Sequence, residues 1–210
     1  MSKIKVLITG GEGGMAKAIE EYLKKKNEYE VKSMSRKNMD ITKYFEVNKI
    51  VSDFKPEVII NTAGYINPDV LVKTGILDFI HHFEVNTFGL FYSIKFGIKN
   101  GCTTFINIGS TSAFEGRDKW GAYCASKAAA MSLTETLARE GYESYTIHPS
   151  RTATKMRERL FPDEDKNTLM NPDRVAEFVS KCLNYEFKNG SHIILKKEYY
   201  YVLPMRDCLK

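Results

Sequence analysis

Residues 4–16, Ile4-Lys5-Val6-Leu7-Ile8-Thr9-Gly10-Gly11-Glu12-Gly13-Gly14-Met15-Ala16, join a short apolar run to a turn dense in glycine. Ile4–Thr9 reads as a buried strand. Met15, Ala18, Ile19, Tyr22 and Leu23 then recur at helical spacing, so the turn links a strand to an amphipathic helix. Glycine lets the backbone bend this sharply and come close to a ligand. The helix that follows offers unpaired N–H groups at the positive end of its dipole. Gly-x-Gly-x-x-Ala is a weak pattern alone. A strand before it and a helix after it give it the meaning of a pyrophosphate cradle. The small residue at Ala16 lets helix and strand pack closely.

Outward from this turn, short apolar runs alternate with helical periodicity. Strands are predicted at Val31–Met34, Glu57–Asn61, Thr104–Ile108, Ser144–His148 and His192–Leu195, the last of these closing the fold. Val47, Ile50, Val51 and Phe54 mark a helix that Lys55-Pro56 ends. Ile80, Phe83, Thr87, Leu90, Ile94 and Ile98 mark one long helix, and Trp120–Arg139 another. Asn171-Pro172 opens a helix whose apolar face is Val175, Phe178, Val179, Cys182 and Leu183. This alternation predicts an α/β fold, a Rossmann-type doubly wound parallel sheet covered on both faces, in a single domain over residues 1–210. Thr152–Met170 is polar, charged and carries Pro162, and is expected to be irregular.

Composition narrows the possibilities. Of 210 residues, 43% are hydrophobic, and 12 Phe and 12 Tyr are too many for a disordered chain. With 14 Gly and 6 Pro it is no collagen or linker, and no apolar run approaches the ~20 residues of a membrane span. Met1–Gly10 lacks a long apolar stretch and a cleavage site, and reads as the start of the fold rather than a signal peptide. The net charge of +5 is scattered and suits a phosphorylated small molecule as well as nucleic acid. Without a basic stripe or aromatic repeats, a nucleic-acid partner is not expected, nor is a membrane. Cys102, Cys124, Cys182 and Cys208 have no metal-type spacing, so no metal site is expected, and they read as reduced thiols of a cytoplasmic protein.

At the end of the second strand, a carboxylate about 20 residues beyond the glycines would bind the ribose 2′-hydroxyl of NAD. This chain has Ser35-Arg36-Lys37 there, and no Asp or Glu from Val31 to Met39. A guanidinium and a hydroxyl suit a 2′-phosphate, which favours NADP(H) over NAD(H). Asp40-Ile41-Thr42 either flanks the adenine or caps the segment from Lys43.

Tyr123 and Lys127 are four residues apart and share a helix face. A neighbouring ammonium favours a phenolate, so Lys127 is expected to lower the Tyr123 pKa and make it an acid/base partner for hydride transfer. Ser110 ends the strand Thr104–Ile108 on the ligand edge of an open parallel sheet, where its hydroxyl can donate to a developing alkoxide. Ser112 is the alternative, and either serine can instead serve as a cap or turn residue.

With these elements in order, nearly the whole chain resembles the short-chain dehydrogenase/reductase family in its compact form. The turn Thr9–Ala16 matches, with Ala16 in place of the last glycine, and Asn61-Thr62-Ala63-Gly64 matches the family's Asn-x-Ala-Gly element. Asn86, Ser110, Tyr123 and Lys127 match its catalytic tetrad. Ile147-His148-Pro149-Ser150 to Thr154 is similar to its Pro-Gly element, with Ser150 in place of the glycine. The resemblance implies Tyr123 as general acid/base, Lys127 on the nicotinamide ribose, Ser110 on the substrate oxygen and Asn86 on a relay water. The buried-amide alternative for Asn86 is compatible with that role. The implied cofactor contacts are Thr9, Gly10, Gly11, Gly13, Gly14, Met15, Ser35, Arg36, Asp40, Ile41, Asn61, Ala63, Gly64, Tyr123, Lys127, Pro149, Thr152 and Thr154. Met39–Thr42 together with Pro56–Tyr65 is also similar to dTDP-4-dehydrorhamnose reductases, but only about 55 residues follow Thr154, too few for their C-terminal substrate domain.

The resemblance places Thr152–Met170 over a small carbonyl or alcohol substrate. Lys155, Arg157 and Arg159 in that loop, with Arg151, Arg117 and Lys119, raise an anionic substrate against the alternative of solvated charge. His81 and His82 are expected near a helix start, as caps or facing solvent, and His148 is expected to be structural. A homodimer or homotetramer is expected through the helices at Ile80–Asn100 and Trp120–Arg139. The alternative functions are a cofactor-binding regulatory protein without turnover and an enzyme like the sugar-nucleotide reductases.

Overall fold

In a computed structural model, which describes residues 2–206, the strand of the opening stretch lies one strand in from the edge of a seven-stranded sheet. β1 (Ile4–Thr9) is fully buried from Val6 onward because the sheet is covered on both faces. Its side chains alternate between two apolar layers. Val6 and Ile8 join α1 (Gly14–Lys24) and α7 (Asp173–Leu183) through Ile19, Leu23, Val175 and Phe178. Leu7 joins α2 (Tyr44–Phe54), α4 (Gly89–Lys99) and α5 (Gly121–Arg139) through Val47, Val51, Leu90, Ile94 and Leu137.

The strand order is β2-β1-β3-β4-β5-β6-β7. The first six, β1, β2 (Tyr29–Met34), β3 (Val58–Asn61), β4 (Thr104–Ile108), β5 (Glu143–Pro149) and β6 (His192–Leu195), are parallel neighbours. The chain leaves β1 toward β2 and returns to the other side of β1 for β3. That reversal opens a crevice above their C-terminal ends, where open α/β sheets bind ligands. Thr9, Asn61 and Asn107 stand side by side in register at this edge. The expected doubly wound α/β sheet is present, with a single strand, β2, on the outer side of β1.

Three expectations need correction. His192–Leu195 does not close the sheet, because β7 (Tyr200–Leu203) pairs antiparallel with β6 across a tight turn in which Lys196 N–H bonds the Tyr199 carbonyl. All four β7 residues are exposed, so no buried alternation marks it in sequence. The region Thr152–Met170 is not wholly irregular. It holds α6 (Lys155–Leu160), capped by the Thr154 hydroxyl on the Arg157 N–H, and a 3₁₀ turn at Lys166–Thr168. The long helix begins earlier, as α3 (Ile76–Phe83), and passes through a π-helical turn at Glu84–Phe88 before α4. Cys102, Cys124 and Cys182 are buried free thiols, as expected; Cys208 lies outside the described residues.

Candidate active site

The glycine turn has no room for side chains. Gly10 adopts φ +69°, and a Cβ there would lie 2.8 Å from the Ala63 Cα. A Cβ on Gly14 would lie 3.2 Å from the Thr154 methyl. α1 starts at Gly14 without a side-chain cap or an acidic residue in its first turn, so its positive end opens onto a groove. Gly10, Gly13, Gly14, Met15, Arg36, Asp40, Ile41, Ala63, Gly64 and Thr154 all line that groove. Thr9 is buried beneath it, its hydroxyl accepting the N–H groups of Thr62 (3.2 Å) and Ala63 (3.3 Å).

Gly11 is pressed against β2, where a Cβ would meet Ser33 Oγ at 2.5 Å. Ser35 is not on the groove wall; its carbonyl instead accepts N–H groups from Asn38 and Met39, closing the turn after β2. Arg36 reaches Asp40 at 3.6 Å and keeps most of its side chain in solvent. Burial works against the Asp40 carboxylate, but the Thr42 N–H and hydroxyl, with Arg36, hold its pKa below the usual range. The cap expected of Asp40 is thus on Thr42, not on α2, whose N-cap residue Lys43 has no side-chain bond.

Tyr123, two turns before the middle of α5, faces a second cleft that also receives Ser110, Pro149 and Thr152. The N–H of Ser112 bonds Ser110 Oγ at 3.1 Å, and Ser110 and Tyr123 line the same cleft. Ser112 lines the same cleft, but its buried hydroxyl has no hydrogen-bond partner. Trp120 packs edge-on against Tyr123 and at a shallow tilt of 34° against Phe161 of the segment after α6.

Lys127 is buried, donates to the Ile108 carbonyl at 3.2 Å, and lies 5.9 Å from the centre of the Tyr123 ring. A Cβ on Gly64 would be 3.7 Å from Lys127 Nζ and 3.6 Å from Asn86 Oδ1, so the Asn61–Gly64 element brings these groups together. Asn86 sits in the π-helical turn, the kind of helix irregularity found at functional sites. Its amide accepts the Tyr65 N–H (2.8 Å) and donates to the Tyr65 carbonyl and Ser126 Oγ (2.9 Å each). A cavity of about 20 Å³ lies between Asn61, Asn86, Asn107 and Lys127, and the buried Asn107 Nδ2 beside it has no protein partner. That space and that orphaned donor suit one water.

The electrostatics correct one expectation. Lys127 does not lower the Tyr123 pKa in the protein alone. Burial pushes the phenol above its usual value, against the lowering influence of the Ser110 hydroxyl, and burial also lowers the Lys127 ammonium to about 8. Both groups lose water, and desolvation outweighs their mutual effect across 5.9 Å.

Several residues on these walls carried no signal of their own. Tyr65 follows the Asn61–Gly64 element, donates to Asp78 at 2.7 Å, and packs against His81 and His82. His81 and His82 lie in the last turn of α3, not near its start. His82 is fully buried, accepting the Asn67 N–H and donating to the Asp78 carbonyl, so the solvent-facing expectation fails for it. Among the described residues no group of side chains is arranged to hold a metal. No helix there is long and apolar enough to cross a membrane.

The family model described as short chain dehydrogenase matches residues 18–165. The bifunctional ribulose 5-phosphate reductase/CDP-ribitol pyrophosphorylase Bcs1 of Haemophilus influenzae is 26% identical over 98% of this chain and 46% of its own length. A dTDP-4-dehydrorhamnose reductase of Aggregatibacter actinomycetemcomitans is 29% identical over 53% of this chain and 36% of its own. This chain therefore spans less than half the length of these curated relatives. Among solved structures, ElxO with NADP bound superposes with a TM-score of 0.79 at 26% identity, covering 93% of this chain and 97% of that one. With its doubly wound sheet, glycine turn and this match over most of its length, the chain belongs to the short-chain dehydrogenase/reductase family.

Proposed function

We propose that the protein is an NADP(H)-dependent oxidoreductase that exchanges hydride with a carbonyl/alcohol pair, Tyr123 serving as general acid/base. What carries this reading is the convergence of Ser110, Tyr123, Lys127 and Asn86 at the sheet edge that also ends the glycine-turn groove. The groove fits a dinucleotide. Its glycines admit a close backbone approach, the open start of α1 faces it, and Arg36 on its wall suits a 2′-phosphate. The neighbouring structure with NADP bound supports the same preference. Ser35, off the groove wall, would reach the 2′-phosphate only from the edge of that turn.

When bound, the dinucleotide supplies the hydride donor or acceptor, with a positively charged ring in its oxidised form. The raised Tyr123 pKa keeps the phenol protonated at neutral pH, ready to donate to a carbonyl oxygen that gains charge during reduction. The Ser112 N–H occupies a lone pair of Ser110 Oγ and leaves the hydroxyl proton free to donate to that same oxygen. Lys127, with Asn86 and a water in the 20 Å³ cavity, would resupply the proton from behind. Pro149, Thr152 and Thr154 would border the nicotinamide where the groove meets the cleft, and α6 with its flanking loop would cover the substrate.

A specific observation favours an anionic substrate. Arg117, Arg151, Arg157, Lys196 and Lys197 line the cleft with Ser110 and Tyr123, against Glu198 alone among carboxylates on its wall. Glu115 binds Arg117, and Glu164 binds Arg157 and Arg151, yet positive charge remains in excess. The Haemophilus relative is named for reduction of a phosphorylated ketone, which supports this reading. Pairing through α3, α4 and α5 is supported by exposed Ile76, Leu77, Ile80, Phe88 and Phe91. Buried free thiols support a cytoplasmic setting.

The test is NADPH consumption over a panel of carbonyl compounds in matched phosphorylated and neutral forms. Turnover that is faster with the phosphorylated partner is expected. NADPH binding without consumption anywhere in the panel would replace this reading with that of a cofactor-binding regulatory protein.

A further inference from the structure

Behind Ser110 runs a buried polar chain that the proposed chemistry does not use. His148, in β5, places Nδ1 3.2 Å from the Ser110 N–H donor and 2.9 Å from the Ser110 carbonyl oxygen. Its Nε2 is 3.1 Å from Nδ1 of His192 in β6, and His192 Nε2 is 3.0 Å from Oε1 of Glu135 in α5. Arg206 grips both Glu135 oxygens at 2.6–3.0 Å. His148, His192 and Glu135 are at most 4% exposed. Gly109 admits the first ring, since a Cβ there would lie 2.6 Å from His148 Nδ1, and Phe114 covers both imidazoles. The charged groups facing the pair are Glu135, Arg206 and Lys127.

With both imidazoles neutral, proton placement along this chain has one solution. Paired with a guanidinium, Glu135 is ionised and can only accept, so His192 carries its proton on Nε2. A neutral His192 then accepts at Nδ1, so His148 carries its proton on Nε2. His148 Nδ1 is left bare and accepts the Ser110 N–H. Reversing the chain would put a proton on Nδ1 and exchange this bond for one to the Ser110 carbonyl at 2.9 Å. The state of Glu135 thus selects which backbone group of Ser110 is held. Burial drives both imidazoles toward the neutral form that this order requires, His148 down to about 3.

We propose that His148, His192 and Glu135 form a positioning relay that fixes the backbone of Ser110, and through it the Ser110 hydroxyl, on the α5 face of the sheet. This rests on the reading of Ser110 as the group that holds the substrate oxygen. Glu135→Gln replaces the acceptor-only carboxylate with an amide that can also donate to His192, and so lets the chain reverse.

Histidine ¹⁵N shifts at pH 7 read the order directly, assigned by His148→Asn and His192→Gln. Wild type should show both imidazoles protonated on Nε2, and Glu135→Gln should move His148 toward Nδ1 protonation. A His148 proton on Nδ1 in wild type, or no movement in Glu135→Gln, overturns the relay whether or not a substrate is known. In turnover, His148→Leu should lower kcat by roughly 10-fold or more with the NADPH Kd within twofold. His148→Asn, which retains an acceptor near Nδ1, should recover most of it. Equal losses in both variants would also overturn the relay. Absence of turnover in wild type overturns the proposed reaction, while the ¹⁵N result still decides the proton order.

Discussion

The glycine turn and the Ser110–Tyr123 edge share one end of the sheet but are built in opposite ways. The turn is backbone: Gly10, Gly13 and Gly14 lie within five consecutive residues, and their use is that they lack side chains. The Ser110 edge is side chains, gathered from β4, the π-helical turn, α5 and β5 over more than 60 residues of sequence. The first region offers N–H groups and a helix dipole, which water and salt weaken but burial does not disturb. The second takes a phenol, an ammonium and two imidazoles out of water, so burial sets their protonation. Changes in one region should therefore alter cofactor affinity, and changes in the other chemistry or stability.

The largest separation is expected from Tyr123→Phe. Loss of the proton donor should lower kcat by ~10²–10⁴-fold while the NADPH Kd stays within twofold. A variant with unimpaired kcat would merge the two regions and remove the assigned chemistry. On the other side, Gly10→Val forces a branched side chain into φ +69° and against Ala63. NADPH affinity measured by calorimetry should fall ~10- to 100-fold, equivalent to about 1–3 kcal/mol of strain. Arg36→Ala should raise the NADPH Kd roughly 10-fold and leave NADH unchanged. Equal losses for both nucleotides would refute its place beside a 2′-phosphate.

Smaller effects sharpen the contrast on the chemical side. Arg117→Ala should raise KM for a phosphorylated carbonyl by roughly 3- to 10-fold and leave the neutral analogue unaffected, since the guanidinium is partly exposed and shared with Glu115. Lys127→Met should abolish turnover but raise Tm by a few degrees. The folded chain holds this ammonium at about 8, against ~10.4 when unfolded. Between those values the unfolded chain binds the extra proton, so wild-type stability should rise from pH 8 to 10, while below pH 8 the cost of the buried charge is constant. Lys127→Met should lack this rise, which a thermal-melting series over pH would show.

Much of the fold was legible because its signals are local. Val6–Ile8, Ile59–Ile60 and Phe105–Ile106 are apolar runs that only a sheet covered on both faces buries, and each is followed by a helical period. β7 escaped because Tyr200–Leu203 is an exposed edge with no buried face, and α6 because six charged and apolar residues hold too little periodicity. Three of the candidate tetrad residues were suggested by the spacing of Tyr123 and Lys127 and the place of Ser110 after a strand, and Asn86 by the family resemblance alone. Its electrostatics were not, because the sign of the Tyr123 shift depends on how much water the packed chain removes.

What the sequence determined alone was the order of the six parallel strands and most of the helices between them, the glycine turn and the residue types near the crevice. These follow from periodicity and from conformations that few residues other than glycine adopt. Only tertiary structure decided that the Ser112 N–H bonds the Ser110 hydroxyl, that Arg36 and not Ser35 borders the groove, and that His148, His192 and Glu135 meet behind the serine. Those outcomes depend on distances between strands and helices far apart in the chain, set by packing of both sheet faces, which no short stretch of residues encodes.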